Sequence, residues 1–374
     1  MQDWIPLVVL SVVALLVAVV AADRLPRSVG GLLIAGVLMR IAGSTARFEV
    51  LFRAYGGGDA VGYFGWGKRY AALIWDLDFR FLTTPLGRVE HWWGTEFVRI
   101  VSGFVVALTG PSMRAAFLGF SLFSFTGMVL IARAASIAAP RVARGYTQLL
   151  FFFPTLWFWP SSIGKEAVIL LALGLFVRGF VGDGERPAWG TFASGLALAA
   201  CVRPHVAALL AGSAALAELL RRSRGSARGK WTAWLGASTG AAVAVYVGLT
   251  GLGLGDADLE DIEEEIRLRA GQTETGGSQI ERAAGLAALP MAFVNVLMRP
   301  FPGEGGALGL FSALEIWALW VLVVSRRRGV AAGLRGWRES RIFALAAPAA
   351  VSLTLLYGIG FANMGIIVRQ RAAV

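Results

Sequence analysis

From Ile5 to Val20 the chain has no charged residue, and its only polar side chain is Ser11. Lipid leaves no water for backbone N–H and C=O groups, so a run like this folds as a helix that bonds internally, and about 20 residues cross the hydrocarbon. Similar runs recur to the end of the chain, for instance at 193–200 and 351–356. Hydrophobic residues make up 56% of the 374 and charged residues 16%. Soluble domains average about 45–50% and about 25%. The chain is expected to be an all-α polytopic transmembrane helical bundle, with residues 1–374 forming one integral membrane domain. Met1-Gln2-Asp3 supplies no positive region ahead of the first run and no cleavage site follows it, so that run is expected to stay as a membrane helix.

Candidate spans fall at 5–22, 28–42, 114–136, 146–160, 165–182, 189–202, 206–220, 231–252, 308–324 and 342–361. Lys and Arg concentrate on the cytoplasmic side of membrane proteins. The basic groups Arg221-Arg222-Ser223-Arg224 through Arg228 to Lys230, Arg326-Arg327-Arg328 with Arg335, Arg338 and Arg341, and Arg141 with Arg144 set that side. Outside then lie two long loops, 45–111 and 253–307, the short stretches 161–164 and 203–205, and the tail from Asn363. The net charge of +11 fits basic loops facing anionic lipid. Basic stripes interleaved with aromatics are missing, which excludes nucleic acid as a partner. Cys201 is the only cysteine and cannot form an internal disulfide.

Residues 96–108 are apolar enough to cross, but crossing would put Asp59 and Arg141 on one side. They are expected to lie in the outer membrane face instead, and so are 286–298, bounded by Pro290 and Arg299-Pro300. Half-crossing backbone is tolerated only where it lines a cavity, so two such segments predict a cavity at that face. Residues 256–269 place Leu259, Ile262 and Ile266 on one face of a small acidic helix, and 271–278 read as a loop.

Ionisable groups near hydrocarbon cost about 2.5–3.5 kcal/mol each to insert, which makes function their default reading. Here they gather at the outer ends of the spans. Asp59 follows Gly56-Gly57-Gly58, and Tyr63 lies one helical turn beyond it. Lys165 and Glu166 follow Pro160-Ser161-Ser162-Ile163-Gly164. Arg203-Pro204-His205, Arg299 with Glu304, and Arg369 with Arg371 complete the set. Such a ring suits a phosphate, since the Arg fork donates two parallel hydrogen bonds. Each member also has a plain reading: Asp59 as a turn residue, the arginines snorkelling to lipid, Glu166 as a helix-start carboxylate, His205 as a packed interfacial side chain.

Gly164-Lys165 lacks the spacing of a phosphate-binding loop, the glycines at 251–255 lack a dinucleotide-binding context, and no His/Cys set has zinc spacing. Asp76, Asp78, Glu90, His91 and Glu96 share the first outer loop with Asp59 and offer a divalent metal a weak site that the sequence does not require.

The order of these features resembles the GT-C superfamily of membrane glycosyltransferases. That resemblance implies an acidic residue in the first outer loop, here Asp59, followed by interfacial helices. FFFPTLWFWPSSIGKEA, CVRPH, RPFPGE and NMGIIVRQR also look like a family of bacterial membrane proteins found with polysaccharide biosynthesis. The family often has Asp where Lys165-Glu166 stand, and the first span is extra to its usual arrangement. The resemblance implies an enzyme in the bacterial inner membrane that moves a sugar from a polyprenyl-phosphate-linked donor to a glycan or lipid acceptor. Asp59 would be the general base, with Tyr63 packing on a sugar ring. Lys165, Glu166, Arg203, His205, Arg299, Glu304, Arg369 and Arg371 would bind substrate. Two alternatives stay open: a polymerase of diphosphate-linked oligosaccharides, and a flippase or transporter of lipid-linked sugars.

Overall fold

The computed structural model describes residues 3–54, 56–84, 86, 92–183, 187–222, 288–304, 306–337, 339–360 and 363–371. The expected span 231–252, the acidic helix 256–269, the loop 271–278, and Arg224, Arg228, Lys230, Glu90 and His91 lie outside them. Among the described residues all regular structure is helical. Chain contacts divide the protein into two units, Met1–Arg203 and Pro204–Val374.

The first unit contains α1 (Trp4–Ala22), α2 (Arg27–Ala54), α3 (Asp59–Trp75), α4 (Thr95–Thr109), α5 (Met113–Ala138), α6 (Ala143–Phe152), α7 (Pro154–Phe158), α8 (Lys165–Val181) and α9 (Trp189–Val202). The second contains α10 (Pro204–Arg222), α11 (Ala288–Leu297), α12 (Gly306–Ser325), α13 (Arg327–Arg335), α14 (Arg341–Gly360) and α15 (Met364–Gln370). Among the described residues four helices are long and apolar enough to cross a membrane: α1, α2, α5 and Arg341–Ile359 of α14. The bent pair Gly309–Ser325 and Arg327–Arg335 adds a fifth if it is one span. This is a helical membrane protein, and its described residues hold fewer full-length spans than their apolar runs suggest. The stretches expected to cross at 165–182 and 189–202 form helices of 17 and 14 residues.

The expected span at 146–160 is broken. Pro154 supplies no N–H and ends α6, so α7 restarts as a separate turn. The freed carbonyls find donors across the bundle and within the segment. Arg40, fully buried in α2, donates Nη1 to the Leu156 carbonyl at 2.9 Å and Nη2 to Met128 Sδ at 2.6 Å. Ser124 donates to the Pro160 carbonyl at 3.3 Å, and Ser161 donates to the Trp157 carbonyl. Arg47 lays its guanidinium 4.7 Å from the Trp159 ring centre. Irregular backbone at this depth is tolerated because protein groups replace the missing water.

Helices α5, α8 and α9 stack through glycine. A methyl on Gly127 would overlap the Leu170 carbonyl, and one on Gly174 would overlap the backbone of Gly127. Bare glycine backbones let α5 and α8 touch, which is how helices gain packing when lipid offers no hydrophobic drive between them. In the second unit α14 packs on α10 and α11, and α15 on α11 and α14.

Candidate functional site

Asp59 opens α3. Gly56 and Gly57 take φ of +66° and +123°, a region an L side chain rarely adopts, and Gly58 is the N-cap. The three glycines turn the chain out of α2 and leave the Asp59 carboxylate exposed in the first helical turn, where the helix dipole favours an anion.

One turn on, Tyr63 is only 8% exposed. Its hydroxyl engages the side chain of Thr95, the first residue of α4, and it feels the charges of Glu166, Asp59 and Arg203. Burial is the main reason its phenol is pushed up to about 12; the neighbouring carboxylates add to the shift, while the Thr95 bond and Arg203 oppose it. The ring expected to pack on a sugar is therefore turned into the protein.

Helices α3 and α4 pair closely: Gly67 sits against Ser102 and Gly103 against Tyr70. Between them Glu96 has no exposed surface. It accepts from the Tyr70 hydroxyl and from Arg99 Nη1 at 2.8 Å. Burial, and then the Glu96 bond, push the Tyr70 phenol up to about 12. Arg99 stacks 4.7 Å from the Trp66 ring centre.

The Gly94 N–H donates to the Cys201 carbonyl at 2.7 Å, fastening the start of α4 to the end of α9. Two residues past Cys201, Arg203 reaches Glu166 at 3.4 Å. Glu166 stands in the first turn of α8 after Gly164, where an added Cβ would lie 3.0 Å from its carboxylate. Lys165 is within electrostatic reach of Arg203, Glu166, Asp59 and Arg99. Residues far apart in sequence (Asp59, Tyr63, Lys165, Glu166 and Arg203) thus form one cluster within the first unit. The N-termini of α3, α4 and α8 contribute to it, and Thr95 and Arg99 join it. Sequence reading overlooked Thr95 and gave Arg99 no role; the acid–base pair Glu96/Arg99, three residues apart on one helix, was the available signal.

Of the residues offered for a divalent metal, Glu90 and His91 lie outside the described residues, and Asp78 and Glu96 are engaged with other side chains. Asp78 pairs with Arg80 at 2.6 Å, a contact that with the Arg80 N–H holds its carboxyl down to about 2, and Glu96 is held by Tyr70 and Arg99. Among the described residues no three His, Cys, Asp or Glu side chains converge.

The remaining candidates belong to the second unit. His205 is half-buried beside Pro204 at the start of α10. Arg299 pairs with Glu304 at 3.6 Å, and Glu304 also accepts the Phe301 N–H at 2.9 Å, so Glu304 closes its own loop. Arg369 donates Nε to the Gly365 carbonyl at 3.3 Å. Arg371 buries Nε and Nη2 without hydrogen-bond partners, and Glu315 is the acid whose charge it feels. Compared with known proteins, the chain matches no family model, no curated protein and no solved structure.

Proposed function

We propose that this protein is a multi-pass enzyme of the bacterial inner membrane that transfers a sugar from a polyprenyl-phosphate-linked donor to a glycan or lipid acceptor at the outer face, in a GT-C-like arrangement. One observation carries the reading: an exposed carboxylate, Asp59, shares an electrostatic cluster with Lys165, Arg99 and Arg203. Glycosyl transfer needs a base for the acceptor hydroxyl and cations for the leaving phosphate.

In this mechanism Asp59 accepts the hydroxyl proton as the acceptor oxygen bonds to the anomeric carbon. The bond from that carbon to the donor's phosphate oxygen breaks, and the lipid phosphate leaves with the electron pair. Lys165 and Arg203 balance its charge, and Glu166 holds Arg203 in place. The Tyr63–Thr95 bond fixes α3 against α4, keeping Asp59 in register. In the second unit Arg299, Arg369 and Arg371 keep an anion-binding role, which the unpartnered nitrogens of Arg371 support.

The test pairs lipid-phosphate binding with sugar transfer by purified protein in vesicles. Asp59→Asn is expected to lower turnover by about 10²–10⁴-fold with donor binding little changed. Arg203→Ala instead weakens donor binding by about 1.5–3 kcal/mol, and Arg203→Lys restores part of it. Wild-type protein that carries lipid-linked sugar across liposomes and transfers none would defeat the proposal in favour of a transporter.

A further inference from the structure

Helix α13 leaves α12 at an angle of 73° and buries none of its side chains. A helix with so little packing against the described residues needs another surface to stabilise it. Its sequence, RRGVAAGLR, has no acid. Val330 and Leu334, four residues apart and so on one face, are exposed. Arg328, Ala331 and Arg335 take a neighbouring face.

Two open cavities lie at the bend. Val324, Ser325, Arg326, Arg327, Arg328 and Gly329 line one of about 580 Å³. Arg327, Arg328, Ala331 and Arg335 line the other, of about 460 Å³. The side chains of Arg326, Arg327, Arg328 and Arg335 have no hydrogen-bonded or ion-paired partner among the described residues. Exposed Val321 and Val324 carry the apolar surface of α12 up to the bend. An apolar helix long enough to enter lipid thus turns sharply into a short amphipathic one with unneutralised guanidiniums on its flank.

We propose that α13 lies in the membrane interface and binds the headgroups of anionic phospholipids, their phosphates in the two arginine-lined cavities and Val330 and Leu334 among the acyl chains. The charge fits, since a guanidinium fork matches a phosphate. So does the layout, because interfacial helices combine an apolar face with a basic flank. Nothing here depends on the sugar-transfer reading.

The test uses the full chain in nanodiscs of phosphatidylcholine with phosphatidylglycerol, native mass spectrometry counting the lipids retained. Wild-type protein is expected to retain phosphatidylglycerol in excess of its share, less so as salt rises. Each arginine removed should weaken that retention by about five-fold, so Arg327→Gln with Arg328→Gln should nearly abolish it. The charge-matched control Arg141→Gln with Arg144→Gln should keep the preference. In a second arm, a spin label at position 334, made as Leu334→Cys with Cys201→Ser, should meet oxygen more readily than an aqueous nickel chelate. No preference in the wild type, an Arg327/Arg328 variant like wild type, equal losses in both charge variants, or a water-accessible label would each overturn the proposal.

Discussion

The Tyr70 hydroxyl donates to Glu96, a carboxylate with no exposed surface whose other oxygen holds Arg99 at 2.8 Å. This chain runs from the middle of α3 into the first turns of α4 and ends at a guanidinium that Lys165 feels. It fixes the pair of helices bearing Asp59 and Thr95. Tyr70→Phe removes one of the donors to Glu96 and should cost about 1–3 kcal/mol of stability. Glu96→Ala should cost more, since it leaves both a buried hydroxyl and Arg99 short of a partner. Thermal unfolding in detergent checks both, with Tyr70→Phe expected to reduce the proposed sugar transfer less than Asp59→Asn does.

The two phenols give a pH signature. Tyrosine ordinarily ionises near 10. Tyr63 and Tyr70 are each held up to about 12 by burial. A folded pKa above the unfolded one means that their stabilisation is complete below about pH 10 and is lost as pH rises through about 12. Tyrosinate absorbance should therefore show Tyr63 and Tyr70 among the phenols that titrate late, with alkaline unfolding over the same window. Tyr63→Phe and Tyr70→Phe should each remove one late phenol. An ordinary titration of all tyrosines would contradict the burial of both rings.

Glycine contacts separate two kinds of position. Gly127→Ala drives a methyl into the Leu170 carbonyl, backbone against backbone, and α5 must move off α8. Yield of folded protein should fall sharply, with a loss of several kcal/mol, more than the ~1–3 kcal/mol typical of overpacking. Gly145→Ala on α6 meets nothing within 4 Å. It should be neutral or stabilise by about 0.4–1 kcal/mol, because alanine restricts the unfolded chain.

Arg40 links α2 to the break between α6 and α7. Arg40→Met keeps a long side chain but leaves the Leu156 carbonyl without its donor, at a cost of about 1–3 kcal/mol. Amide exchange at Trp157 and Phe158 should quicken more than exchange in α1, since α7 loses its tie to α2. Uniform protection across both regions would show that the break holds without Arg40.

Much of the helical layout was legible in the sequence. Lipid forces long apolar runs to bond internally, so α1, α2, α5, α12 and α14 announce themselves by composition. Several helix starts are equally plain: Gly58 before Asp59, Ser112 capping α5 by accepting the Ala115 N–H, Gly164 before Lys165. Asp59, Lys165 and Arg203 also stood out as candidates, because charged side chains at the ends of apolar helices are costly without a purpose. Tertiary structure alone decided which of them meet. The bond from Gly94 to the Cys201 carbonyl and the contact from Glu166 to Arg203 join positions that no local pattern relates. The same holds for burial: Arg40 falls inside the expected span 28–42 and Glu96 in the expected outer loop, and neither position says that the charge is enclosed. Distant partners enclose Arg40 (Leu156 and Met128), and Tyr70 of the neighbouring helix with Arg99 one turn along its own helix encloses Glu96. Periodicity reports which face of a helix is apolar, and distance between helices decides what that face touches.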